Sequence, residues 1–136
     1  MIESNNMNYL KLYSLTFLAF LVIDAIWLTL IAKNFYAKHL GYLMANPVNL
    51  WAALIFYLIF VAAILILVVI PNQHASLGTV LVLAAIFGFA SYATYDLTNL
   101  ATIKDWPLIV TLVDLVWGST VSTLTALIAY FIQQNL

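Results

Sequence analysis

Long apolar runs broken by short polar punctuation set the pattern of this chain. Leu12 to Ala32, Leu50 to Ile70, Leu77 to Leu100 and Pro107 to Ile132 are predominantly apolar. Each reaches about the 20 residues that a helix needs to cross the hydrocarbon core. None alternates with the period of two expected of a barrel strand, the other way of satisfying backbone groups in lipid. The breaks between the runs carry helix-stop chemistry. Asn46-Pro47 predicts the N-cap and first helical position of the second span, and Pro71-Asn72-Gln73 predicts its end. Asp105-Trp106-Pro107 predicts the start of the fourth, with Asp105 as cap. The pattern predicts an all-α integral membrane four-helix bundle, a single transmembrane domain over residues 1–136.

Composition sharpens this picture. Hydrophobic residues make up 66% of the chain and charged residues 7%, whereas soluble domains carry about a quarter charged residues. Too little charge is present to coat a water-facing surface. There is no cysteine, which excludes disulfides, thiolate metal sites and cysteine nucleophiles. A net charge of −1 without a basic run gives no sign of nucleic-acid binding. The polar tail "MIESNNMNYLK", carrying Glu3, precedes an apolar run too long for a secretory signal and lacking a small-x-small cleavage site. The first run is therefore expected to be a retained span.

Four spans place both termini on one side with Lys11, and Lys33, Lys38 and Lys104 on the other. Three lysines against one put the Lys-bearing loops in the cytoplasm by the positive-inside rule, and both termini outside it. In the first of these loops, "KNFYAKHLGYLMANP", the residues Phe35, Tyr36, His39, Leu40, Leu43 and Met44 recur at helical spacing. Two readings stay open: a short amphipathic helix at the membrane surface, or a membrane-edge loop whose tyrosines belong to the aromatic belt.

Three of the five acidic residues, Asp24, Asp96 and Asp114, lie inside spans. A carboxylate at a helix centre costs about 2.5–3.5 kcal/mol on insertion scales, and no lysine or arginine lies at that depth to pair with these. Each must be protonated, hydrogen-bonded, hydrated or neutralised by a bound cation. At 1.5 Å per residue, Asp96 and Asp114 lie roughly 6–10 Å inside the Lys-bearing face and Asp24 roughly 15 Å. All three fall in one half of the bundle, which predicts a polar pocket opening toward the Lys-bearing side.

Gly88, Tyr92, Asp96 and Asn99 form one stripe of the third span. Thr111, Asp114, Gly118, Ser122 and Thr125 form another on the fourth, where Gly118-x-x-x-Ser122 permits close helix approach. The second span adds Tyr57 at comparable depth, while Tyr95 and Thr98 turn to neighbouring faces. Three residues after each membrane aspartate stands an N–H donor: Trp27 after Asp24, Asn99 after Asp96, and Trp117 after Asp114. "VIDAIW" and "LVDLVW" thus form a short repeat in opposite membrane orientations. His39 and His74 fall in loops with no second histidine at ligand spacing, so no metal site is expected.

"DAIW", "FYAKHLGYLMA", "ALIFYLIF", "YATYDLTNLATIKDWP" and "DLVWG", in this order, closely resemble a bacterial family of small predicted membrane proteins catalogued only as a domain of unknown function. The resemblance spans nearly the whole chain. It implies a multi-pass protein of the bacterial cytoplasmic (inner) membrane and no assigned reaction. The family's motif positions fall on Asp24, Trp27, Tyr36, Gly41, Tyr57, Tyr92, Tyr95, Asp96, Asn99, Trp106, Asp114, Trp117 and Gly118. In size, spans and membrane acids the chain is also similar to the small multidrug resistance exporters, although their early-helix glutamate is absent.

The expected function is binding or transport of a small polar, cationic or amphipathic ligand by Asp24, Trp27, Tyr57, Tyr92, Asp96, Asn99, Asp114 and Trp117. The expected partners are the bilayer, a small-molecule or lipid ligand, and a second copy in a homodimer. No cofactor motif, metal motif or nucleophile elbow is present. Two alternatives stand beside this reading: an enzyme acting on a lipid or isoprenoid with two carboxyls as acid and base, and a non-catalytic membrane partner subunit.

Overall fold

The computed structural model describes residues 2–136, with side chains from Asn5 onward; Glu3 lies outside the described side chains. Among the described residues it is an all-α four-helix membrane bundle without strands. Helix α1 (Ile2–Ile26) widens into a π-helical turn at Trp27–Ile31, and the short α2 (Lys33–Leu40) follows. Helix α3 (Leu50–Ile64) continues through a second wide turn, Leu65–Val69, into a tight one, Ile70–Asn72. Helices α4 (Leu77–Thr102) and α5 (Leu108–Gln134) complete the bundle. The four long segments, Asn5–Ile31, Leu50–Asn72, Leu77–Thr102 and Leu108–Gln134, are each long and apolar enough to cross a membrane.

The first span begins earlier than its apolar run, because the helix runs on through the polar tail from Asn5. Two caps also differ from the sequence expectation. The α3 N-cap is Asn49, not Asn46: its backbone is extended and its side chain accepts from the Ala52 amide at 3.1 Å. This satisfies one of the free N–H groups of the first helical turn. Asp105 caps nothing. It adopts φ 62°, a left-handed conformation that aspartate tolerates better than most residues. The reversal turns the next residue, Trp106, inward, where its indole donates to Thr111 Oγ1 at 3.1 Å. Pro107 then occupies the cap position of α5 without a side-chain cap. The Tyr42 hydroxyl donates to the Asp105 carbonyl at 2.7 Å, tying the first loop to the third.

Helices α4 and α5 form the most extensive pair in the bundle. The stripe read from α5 is its buried face, with Thr111, Asp114, Gly118, Ser122 and Thr125 all buried. Opposite it lie Gly88 and Asp96 of α4, also buried. Helix α1 packs on α5 and α3, with Phe20 fully buried against Tyr57 and Phe60 at ring-centroid distances of 5.3 and 5.1 Å. Large aliphatic side chains on the remaining faces, such as Leu30, Ile59, Ile66 and Val116, are exposed. That inversion of the soluble pattern is what a lipid-facing surface requires.

Candidate functional site

Asp24, Tyr57, Asp114 and Trp117 meet from three helices around a cavity of about 540 Å³. The other lining residues include Trp27 and Leu28 of the wide turn after α1, Tyr36 of α2, Ala53 and Phe56 of α3, and Ser91, Tyr92 and Tyr95 of α4. π-Helical turns are uncommon and recur at functional sites; here one carries Trp27 and Leu28 onto the wall immediately after Asp24. A second hollow of about 300 Å³, between Tyr9 and Tyr13 on one side and Ala62 to Ile70 on the other, contains no carboxyl.

Each of the two lining carboxyls is held by aromatic donors. The Tyr57 hydroxyl donates to Asp24 Oδ2, and the Trp117 indole donates to Asp24 Oδ1 at 3.3 Å. The Tyr36 hydroxyl donates to Asp114 Oδ1 at 2.5 Å and itself accepts from the Trp27 indole at 3.1 Å. The repeated tryptophans therefore serve crosswise. Trp117, three residues after Asp114, holds Asp24; Trp27, three residues after Asp24, supports the tyrosine that holds Asp114. Their indoles stack between the helices at 4.3 Å and 7°. The repeat is a packing unit: antiparallel α1 and α5 place Trp117 on Asp24 and link Trp27, through Tyr36, to Asp114.

Asp96 and Asn99 do not line the cavity. Asp96 is fully buried on the α5 side of α4. Among the described residues no N–H or hydroxyl donor reaches either of its oxygens, and the neighbouring acidic group is the Asp114 carboxyl. The Thr111 hydroxyl, which accepts from Trp106, donates to the Asp96 backbone carbonyl at 3.3 Å and fixes this end of α4 against α5. Asn99 is half-buried, one turn nearer the third loop. The three acids thus do not converge on one point: Asp24 and Asp114 share the cavity, and Asp96 stands behind Asp114. Among the described residues no group of three or more His, Cys, Asp or Glu is placed to hold a metal ion.

Tyr36, Tyr95, Phe56 and Ser91 belong to the wall although the sequence reading left them outside the site. For Tyr36 the signal was present in the helical spacing of the first loop. The short helix exists, its lysines Lys33 and Lys38 are exposed, and Phe35, Tyr36, His39 and Leu40 are half-buried against the bundle. Because α2 follows α1 at the Lys-bearing end, Tyr36 stands across the route by which the pocket was expected to open. Tyr95 lines the cavity from the turn after Tyr92 and packs edge-on against Trp106 at 5.9 Å.

Burial, and then the hydrogen bond to Asp114, hold the Tyr36 phenol well above its ordinary pKa. An exposed tyrosine ionises near pH 10. Above that pH the unfolded chain releases the Tyr36 proton while the folded chain keeps it, so this contribution to stability is present at neutral pH and is lost as pH rises. Absorbance at 295 nm between pH 9 and 11 should therefore rise equally in the wild type and in Tyr36→Phe. Unfolding titrations over the same range should show the wild type losing stability faster than the variant.

No curated protein and no solved structure matches the chain. Residues 9–131, which include every residue of the cavity wall, match a family described as "Predicted membrane protein (DUF2177)", a family of unknown function. The chain belongs to that family.

Proposed function

We propose that this membrane protein binds, and through binding transports, a small cationic or amphipathic ligand between Asp24 and Asp114. The observation that carries the reading is the lining itself. Two carboxyls share one cavity with Trp27, Trp117, Tyr57, Tyr92 and Tyr95, and no lysine or arginine is among the lining residues. Aromatic faces attract cations, most strongly where water is excluded, and quaternary ammonium groups are recognised by such cages. The donors that hold each carboxyl leave further lone pairs free, since an ionised carboxyl accepts about four hydrogen bonds.

The test is a titration of the protein in lipid nanodiscs with dodecyltrimethylammonium, with uncharged dodecyl maltoside as control. Tryptophan fluorescence supplies the signal, because Trp27 and Trp117 stand in the wall. The cation should give a saturable change that the maltoside does not. Asp24→Asn and Asp114→Asn keep an acceptor for Tyr57 and Tyr36, and each should weaken binding at least tenfold, about 1.4 kcal/mol. A cation that displaces a proton from either carboxyl binds more tightly as pH rises, and the asparagine variants should flatten that dependence. Unchanged affinity in both variants would sink the proposal.

The orientation belongs to the same reading. Three lysines in the first and third loops against Lys11 on the other side support cytoplasmic loops and non-cytoplasmic termini in the bacterial inner membrane. A C-terminal phosphatase fusion should accordingly be active and a C-terminal fluorescent-protein fusion dark. The reverse pattern overturns the assignment.

A further inference from the structure

Helices α3 and α4 close on one another at one end only. Their close approach is through the wide turn Leu65–Val69, next to the hairpin that joins them, and not along Leu50–Ile64. At mid-height Phe60 meets Phe87 at 5.4 Å and Tyr92 at 6.4 Å. Beyond that contact the two helices diverge, and the space between them is the cavity, with Ala53 and Phe56 on one bank and Ser91 and Tyr95 on the other. Phe56 and Tyr95 are 45% and 60% exposed although they line it. Toward the Lys-bearing loops the wall includes Tyr36, bonded to Asp114 and Trp27.

The cavity is thus acidic at its inner end, free of charged side chains at its mouth, and open through the side of the bundle. On a membrane protein that side faces hydrocarbon. A water-soluble ion finds no hydrated path there, whereas a molecule already dissolved in the bilayer does. We infer that the ligand is a membrane amphiphile that enters sideways between α3 and α4, seats a cationic head group between Asp24 and Asp114, and leaves its hydrocarbon chain in the cleft between Phe56 and Tyr95. This rests on the reading of the pocket as a cation site and adds the class of ligand and its route. Burial of each methylene of the chain contributes about 0.8 kcal/mol where it leaves water. A chain that stays in lipid contributes little of that, so selectivity falls to the head group and to the width of the cleft.

Because the native chain has no cysteine, the cleft can be closed at will. In the Ala53→Cys/Ser91→Cys double variant, a short reducible bismaleimide ties the two banks together. In nanodiscs, with the reduced double variant as its own reference, dodecyltrimethylammonium affinity should fall at least tenfold on crosslinking and return when the linker is reduced. Unchanged affinity in the crosslinked protein overturns sideways access while leaving the cation site standing. Failure of the probe to bind the wild type removes the cation site itself, and the amphiphile with it.

A second measurement needs no crosslink. In a Trp51→Phe/Trp106→Phe background, which leaves Trp27 and Trp117 as the tryptophans, a spin label on a lipid acyl chain should quench this pair more strongly than aqueous acrylamide does. Stronger quenching by acrylamide places the mouth in water and overturns the inference.

Discussion

Replacing Gly88 with alanine should destabilise the bundle by about 3 kcal/mol, near the upper end of what an extra buried methylene usually costs. A Cβ at this position would run into the Gly118 carbonyl oxygen and the Ser122 hydroxyl, and would lie 2.6 Å from Ser122 Cβ. The first obstacle is backbone, so no rotamer change relieves it and α4 must move away from α5. Alanine's better helix propensity returns about 1 kcal/mol at most, which does not offset the collision. Gly78, in the first turn of the same helix, is the internal control. Its nearest obstacle is Ser76 Oγ at 3.9 Å, so Gly78→Ala should be neutral or stabilising by up to about 1 kcal/mol. Unfolding in mixed SDS–detergent micelles measures both, and a Gly88→Ala midpoint at or above the wild-type value would show that the seam is looser than its geometry.

That seam was legible in the sequence because lipid leaves helices little else to associate through than close packing and polar contact. Gly88, Asp96, Gly118 and Ser122 stood out as small or polar positions on otherwise apolar helices, and all are buried between α4 and α5. The common level of Asp24 and Asp114, which line one cavity, was legible for a related reason: a fixed rise per residue converts span position into height along a helix. Partnership was not. Spacing of i, i+3 along one helix states that Trp117 shares a face with Asp114, but not that an antiparallel neighbour brings Asp24 to the same place. The crossed donors, Trp117 to Asp24 and Trp27 through Tyr36 to Asp114, exist only once α1 and α5 are packed.

Tyr36 shows the other limit. Its helical periodicity was visible, but periodicity gives a face and no height, so a helix resting on the membrane and one sealing the end of a bundle look alike. The cavity mouth was hidden for the same reason. Leu50–Ile64 is apolar on every side, and nothing in such a segment marks the bank along which α4 will be absent. Asp96 was read correctly as buried and misplaced by one helix face, since a stripe that includes Tyr92 and Asp96 spans two directions: Tyr92 reaches the cavity and Asp96 reaches the seam.

Gly118→Ala should do damage of a different kind from Gly88→Ala, because what stands in its way can be removed. The nearest obstacles to a Cβ at Gly118 all belong to the Tyr92 side chain, with ring Cδ1 at 2.5 Å and Cβ at 2.8 Å. The Tyr92 ring lines the cavity, so displacing it alters the cavity wall. The variant is therefore expected to lose about 1–3 kcal/mol of stability and, with the ring driven into the ligand space, at least tenfold in dodecyltrimethylammonium affinity. Tyr92→Ala alone removes a large half-buried side chain and costs stability by leaving space behind. In the double variant the new methyl occupies part of that space and its collision with the ring is gone, leaving only the 2.8 Å approach to the Cβ of residue 92. The two changes should then be less damaging together than the sum of the single effects, by about 1–3 kcal/mol in a double-mutant cycle. Gly88→Ala combined with Ser122→Ala should show much less of this relief, since the Gly118 carbonyl remains in place. Strict additivity for Gly118 and Tyr92 would mean that glycine at position 118 does not set the position of the tyrosine ring, and that the shape of the cavity wall is fixed elsewhere.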